Sequence, residues 1–223
     1  MKRTKLCDRC LPDYTRGEEL FNMISHIVGG GIGVLTLIAC ILISAFKGDP
    51  YAVVSSAVYG SSLIALYTTS SVYHGLRAGT AKKVMQVLDH CIIYYLIAGT
   101  YTPITLCAIR PEHPVWGWSL FGVVWGLAAF ATVFTAIDLK KYSVLSMIAY
   151  IGMGWCVLVA SKIVIDVMPM MGLVNLLIGG IAYTVGAVLY ALGKRVRYMH
   201  SVFHLFVLLG SIFHIICIAV YVL

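Results

Sequence analysis

The residues best suited to chemistry in this sequence are His200 and His204, an H-x-x-x-H pair inside "YMHSVFHLFV". On a helix of about 3.6 residues per turn, a spacing of four stacks both imidazoles on one face. Such a pair is a two-ligand clamp for a metal that takes neutral imidazole nitrogen, zinc above all. It also suits interfacial or hydrogen-bonded histidines, so the pair alone leaves both readings open. Three more residues bear on the choice. Ser70 and His74 stand four apart, again one helix face. Asp89 is the one acid of nine that falls inside an apolar stretch rather than in a tail or loop. An ionisable side chain there is costly unless paired, which makes it a candidate for function, the plainer reading being an aspartate at a helix end that reaches water.

The surrounding chain is 61% hydrophobic and 11% charged over 223 residues, far less charged than soluble domains. Apolar stretches long enough to cross a bilayer run over 22–46, 51–76, 84–109, 114–137, 142–161, 168–192 and 200–223. The expected fold is therefore all-α: a polytopic bundle of seven transmembrane helices over residues 22–223, preceded by a tail over 1–21. Short connections make sequential helices antiparallel neighbours. The first span follows charged residues and has no small-residue cleavage site after it, so it reads as a retained helix. Glycines in "IVGGGIGV" and "LLIGGIAYTVGAV" read as close helix packing, not as phosphate loops.

Of the 16 Lys and Arg, 13 fall in the tail and alternate loops, with Lys47, Arg110 and Lys162 on the other side. This bias places the N-terminus in the cytoplasm and the C-terminus outside, in a multi-pass cell membrane protein. The net charge of +7 needs no nucleic acid, because basic loops beside anionic lipid account for it. The seven cysteines include one C-x-x-C, Cys7 and Cys10. It lacks the second ligand pair of a structural zinc site, and the reducing cytoplasm disfavours a disulfide. Every lysine falls in a loop or tail, which excludes a retinal Schiff base within the bundle.

With this topology, His200, His204 and His74 share one level near the cytoplasmic face, and Asp89 lies about six residues, or roughly 9 Å, into the third span. Ser70 sits one turn deeper than His74. Three histidines with a fourth position open to water make a catalytic-type zinc site, whose water can reach a pKa of about 7. Asp89 then suits the holding or deprotonation of that water, and Ser70 the donation of a hydrogen bond to a substrate oxygen. Glu19, Asn22 and His26 follow at i, i+3 and i+7 on one face, where they either brace the cytoplasmic mouth around the metal or, for Glu19, favour a helix dipole. His90 points about 100° away from Asp89, and His214 lies about 15 Å beyond His204, so neither is expected as a ligand.

S-x3-H at Ser70 and His74, Asp89, H-x3-H at His200 and His204, E-x2-N-x3-H at Glu19, Asn22 and His26, and "LDHCIIYYLIAGTYTPI" at 88–104 together resemble the progestin and adiponectin receptor family, its bacterial hemolysin III branch most of all. The resemblance covers nearly the whole chain. It implies seven helices with the N-terminus inside, zinc on His74, His200 and His204, and Asp89 near the metal's water. Alkaline ceramidases in the wider superfamily suggest hydrolysis of a membrane lipid amide. The alternative is a receptor-like or membrane-homeostasis protein with structural zinc. Cytolysis by pore formation fits the branch's name but not the spans, which lack rings of charge.

Overall fold

The structure, a computed structural model, describes residues 4–193 and 196–223. Lys2, Arg3, Lys194 and Arg195, four of the basic residues behind the expected topology, lie outside the described residues. Among the described residues there is no strand. Within the same residues, seven helices are long and apolar enough to cross a membrane: α1 Arg16–Lys47, α2 Pro50–Gly75, α3 Thr80–Ile109, α4 Pro114–Ile137, α5 Ser143–Val167, α6 Met170–Leu192 and α7 Met199–Val222. The chain is a multi-pass membrane protein.

Several ends differ from the hydropathy reading, and each has a local cause. α1 starts six residues before 22 because Thr15 and Glu18 form a capping box: Thr15 Oγ1 accepts the Glu18 N–H at 3.2 Å, and Glu18 Oε2 accepts the Thr15 N–H at 2.8 Å. Glu18 and Glu19 therefore belong to the first helical turn, not to the tail expected over 1–21. α3 starts at Thr80, so Lys82 and Lys83 are helical as well; Lys82 is buried, against the expectation that every lysine is in a loop or tail. α5 continues past 161 to Val167 through a tight 3₁₀ stretch, Cys156–Ala160, and this brings Lys162 and Asp166 into the helix on its exposed side. Gly48 closes α1 at φ 71°, a conformation open to glycine, and Asp49 with Pro50 starts α2 directly afterwards.

α1 shows how such a helix is built for lipid. Its buried positions are Glu18, Asn22, His26, Gly29, Gly33, Thr36, Cys40 and Ser44, a polar and small-residue stripe at helical spacing. Leu20, Ile24, Ile27, Leu35 and Ile38 are exposed. In a bilayer the apolar side faces solvent and the small and polar side faces the neighbours, the reverse of a soluble helix. Gly29 is needed for this contact, since a Cβ there would meet the Tyr67 ring at 2.5 Å. Gly179 on α6 does the same for His214, whose ring a Cβ there would overlap.

α3 carries Pro103, which supplies no N–H to the ladder. The helix responds by passing into a π register over Ile104–Ile109, and Arg110 N–H reaches Thr105 O at 2.9 Å. The apolar core beneath the site includes Tyr59, Leu63, Leu66 and Tyr67 of α2 with Val207 and Cys217 of α7, and this packing holds α2 and α7 in register.

Candidate metal centre

α2 ends with His74 and α7 begins with His200 and His204, so two helix termini meet at one level. All three histidines are buried, and one ring nitrogen from each lies within 4.8 Å of the others. His200 Nε2 and His204 Nε2 are 3.1 Å apart. The His74 ring lies 5.3 Å from that of His200 and 5.0 Å from that of His204, centroid to centroid.

The tautomer of His74 follows from its neighbour. Its Nδ1 is 2.6 Å from Glu19 Oε2, so Nδ1–H donates to the carboxylate and Nε2 keeps its lone pair. That Nε2 is buried without a hydrogen-bond partner. A buried lone pair with nothing to bind is costly, and a cation would satisfy it. Carboxylate–histidine pairs of this kind commonly orient and strengthen a metal ligand. Glu19 is held in turn: Lys82 Nζ lies 2.8 Å from Glu19 Oε1, 3.0 Å from the Leu76 carbonyl and over the Tyr73 ring. The three-histidine cluster can hold a metal ion.

The other residues expected at the site are also there. His26 stacks on His204, with centroids 3.7 Å apart and planes at 19°. Asn22 is fully buried, and neither side-chain atom has a hydrogen-bond partner. Ser70 hydrogen-bonds to Asp89 and so holds the carboxylate from the side of α2. Ser70, Asp89, His200 and His204 all line an internal cavity of about 170 Å³ that continues past Leu96 and Thr100 to His214. His90 does not join the cluster: its Nδ1–H donates to Gln86 O at 2.8 Å and its Nε2 accepts from the Tyr190 hydroxyl at 2.9 Å. His214 Nε2–H donates to the Leu176 carbonyl at 3.2 Å. Cys10 of the C-x-x-C is an exposed free thiol.

Three participants were not visible beforehand. Tyr14 stacks on His200, centroids 4.9 Å apart and planes at 16°, and partial burial holds its phenol well above the ordinary value. The segment before α1 is thus laid over the centre. It is fastened by the Thr4 N–H on Asp138 Oδ2 at 2.8 Å and by the Arg9 guanidinium on the Ile137 carbonyl at 3.0 Å. Lys82 is the second, indistinguishable in sequence from the other loop cations. The third is Tyr198, whose N–H donates to Glu18 Oε1 at 2.7 Å and whose φ of 59° is the left-handed value that only it, among the described non-glycine residues, adopts. This strained turn, two residues before His200, sets the start of α7 at Met199. Only the T-x-x-E of the capping box gave a sequence signal for any of this.

The fold and the site together define a seven-helix membrane protein with a buried three-histidine centre at one end of the bundle. The chain belongs to the Haemolysin-III related family, whose profile matches residues 14–215. It is 37% identical to Hemolysin-3 of Bacillus cereus over 206 residues, 92% of each chain. It is 34% identical to the Hemolysin-3 homolog of Bacillus subtilis (strain 168) over 208 residues, 93% of this chain and 96% of that one. The human monocyte to macrophage differentiation factor is 26% identical over 191 residues, 81% of this chain and 76% of its own length.

Proposed function

We propose that the protein is a zinc-dependent membrane hydrolase whose substrate is a lipid amide drawn from the bilayer. The observation that carries this reading is the unpartnered His74 Nε2 grouped with His200 and His204, the latter two lining a largely apolar cavity. Zinc suits the donor set, being commonly bound by neutral imidazole at about 2.0–2.1 Å. Two nitrogens on a tetrahedral shell of that size are about 3.3 Å apart, close to the 3.1 Å between His200 and His204. Bound zinc supplies Lewis acidity and brings water to ionisation near neutral pH.

The residues of the chain then have separable tasks. His74, His200 and His204 hold the ion, and Glu19 with Lys82 fixes the His74 ring. Asp89 accepts a proton from the attacking water as its oxygen bonds to the amide carbon. When the C–N bond breaks, that proton passes to the departing amine, so the products are a fatty acid and an amine. Ser70, whose hydroxyl is directed at Asp89, orients the carboxylate rather than a substrate oxygen. The apolar lining beyond Leu96 accepts the hydrocarbon chain. With the tail across the end of the bundle, the substrate enters from lipid, not from water. We infer a cytoplasmic N-terminus from the basic bias, and a bacterial inner membrane from the likeness to the two Bacillus proteins.

The stacking of Tyr14 on His200 favours a second reading, a receptor-like or homeostatic protein whose metal is structural. Metal content and fatty-acid release from a panel of lipid amides, measured on one detergent-purified preparation, decide between them. Stoichiometric zinc with release of acid supports the hydrolase; stoichiometric zinc with no release from any amide overturns it.

A further inference from the structure

The cavity that passes the three-histidine cluster is walled almost wholly by transmembrane helices. Among the described residues, Pro12 and Tyr14 are its only lining residues outside them. Tyr14 lies flat on His200 and tilted against His74, with centroids 4.9 and 5.9 Å away. His74, His200 and His204 are all buried with the segment in this place. The cover is thin there, since residues 9–15 form no helix and Pro12 is exposed.

Hydrocarbon strips an ion of its water and supplies no replacement, so a metal ion reaches the histidines from an aqueous end. His74 is one residue from the end of α2 and His200 one residue from the start of α7, so the near end is the one that this strap covers. The strap is fastened unevenly. On the α1 side, Thr15 is fixed by its capping box with Glu18, and Glu18 in turn accepts the Tyr198 N–H. At the other end, the Thr4 N–H reaches Asp138 Oδ2 at 2.8 Å, and the buried Arg9 donates to the Ile137 carbonyl at 3.0 Å. Between them, Arg197 Nη1 donates to the Asp13 carbonyl at 3.0 Å, and its Nη2 lies 3.8 Å from a fully exposed Asp13 carboxylate, a pair that contributes little. Once the Thr4–Arg9 end is released, the segment can swing about Thr15 with no transmembrane helix unwound. Openings of this kind sit at the low-cost end of local motions.

We propose that the strap is the gate for the metal: the ion enters and leaves the three-histidine cluster only when the Thr4–Arg9 end lets go of Asp138 and Ile137 and Tyr14 lifts from His200. The inference rests on the three histidines binding metal and not on any hydrolase activity. A gate acts on the path and not on its two ends. Weakening its latch equally in loaded and empty protein speeds loading and release by one factor and leaves affinity unchanged. A strap that held the ion itself would, when weakened, raise release alone.

The test uses the full chain, reconstituted in phosphatidylcholine nanodiscs and loaded with zinc, carrying Asp138→Asn or, should that variant fold poorly, Arg9→Met. Release into excess chelator and reloading from free zinc should each be about tenfold faster than in the wild type, the scale of one lost hydrogen bond, with affinity unchanged. A second readout needs no zinc. In metal-free protein, the thiol introduced by Ser70→Cys lines the cavity beside the centre. It should react about tenfold faster with a permanently charged methanethiosulfonate when Asp138→Asn is also present, because the charge keeps the reagent out of the lipid route. Peptide mapping by mass spectrometry separates this thiol from the native cysteines. Unchanged release in both latch variants, or faster release without faster loading, overturns the gate, and so does charged labelling that ignores Asp138→Asn. Absence of zinc uptake overturns the metal reading, and the labelling rate still decides whether the strap closes the cavity.

Discussion

Glu19 and His74 form a short contact, 2.6 Å from carboxylate oxygen to ring nitrogen, between the first turn of α1 and the last turn of α2. Replacing Glu19 by Gln should weaken metal affinity by about 10- to 100-fold, the usual cost of losing such an orienting partner. Lys82→Met should act in the same direction and more weakly, since it frees Glu19 without removing it. Competition titration against a chelator of known affinity measures both, and unchanged affinity in Glu19→Gln would show that the contact does not serve the metal.

The centre as a whole should bind about one zinc ion per chain. His200→Ala, His204→Ala should lose most of it, and thermal stability should fall because an ion bound only to the folded state no longer contributes. Elemental analysis beside a melting curve checks this; full occupancy in the double variant would contradict the assignment.

For Asp89, the expected result of Asn substitution is near-normal zinc content with turnover reduced by ~10²-fold or more, the scale for a lost general base. Ser70→Ala should cost less, because it removes one hydrogen bond to the carboxylate and leaves the carboxylate itself in place. Should Asp89→Asn instead leave turnover intact and lower metal content, the residue is an orienting group.

The strap across the end of the bundle predicts an acid response. Asp138 is held down to about 2, from an ordinary 3.8, first by the Thr4 N–H and then by the Lys141 N–H. A carboxylate depressed in the folded state contributes stability above its ordinary value and loses it as pH falls from near 4 toward 2. Limited proteolysis before α1 should therefore accelerate over that window in the wild type. In Asp138→Asn it should be fast at every pH, and a flat wild-type profile would contradict the strap.

Topology provides the last prediction. A reporter active only in the cytoplasm should work when fused to the N-terminus and fail at the C-terminus. The opposite pattern would mean that the 13-to-3 charge bias has been misread.

The seven spans and the level at which His74, His200, His204, Asp89 and Ser70 meet were legible because both follow from one-dimensional quantities, apolar run length and residues counted from a charged loop. Helix ends were less so: Thr15 and Glu18 start α1 through two local hydrogen bonds that hydropathy does not register. Tyr14 and Lys82 were missed for a different reason. A tyrosine in a polar tail and a lysine among loop cations acquire their roles at the site from contacts with residues distant in sequence, Tyr14 with His200 and Lys82 with Glu19.

The polar stripe of α1 has a consequence in time. Glu19, Asn22 and His26 enter the membrane with the first helix, but the ring on which His26 rests belongs to the last. Glu18 and Tyr198, which tie these two helices together, are 180 residues apart. At about 5–20 residues per second, synthesis leaves the Glu18 carboxylate without the Tyr198 N–H, and His26 without the His204 ring, for on the order of ten seconds or longer. The three-histidine cluster is therefore completed last, and a nascent chain cut short before α7 would leave His26 without the ring on which it stacks, a mark by which membrane quality control can tell an unfinished copy from a finished one.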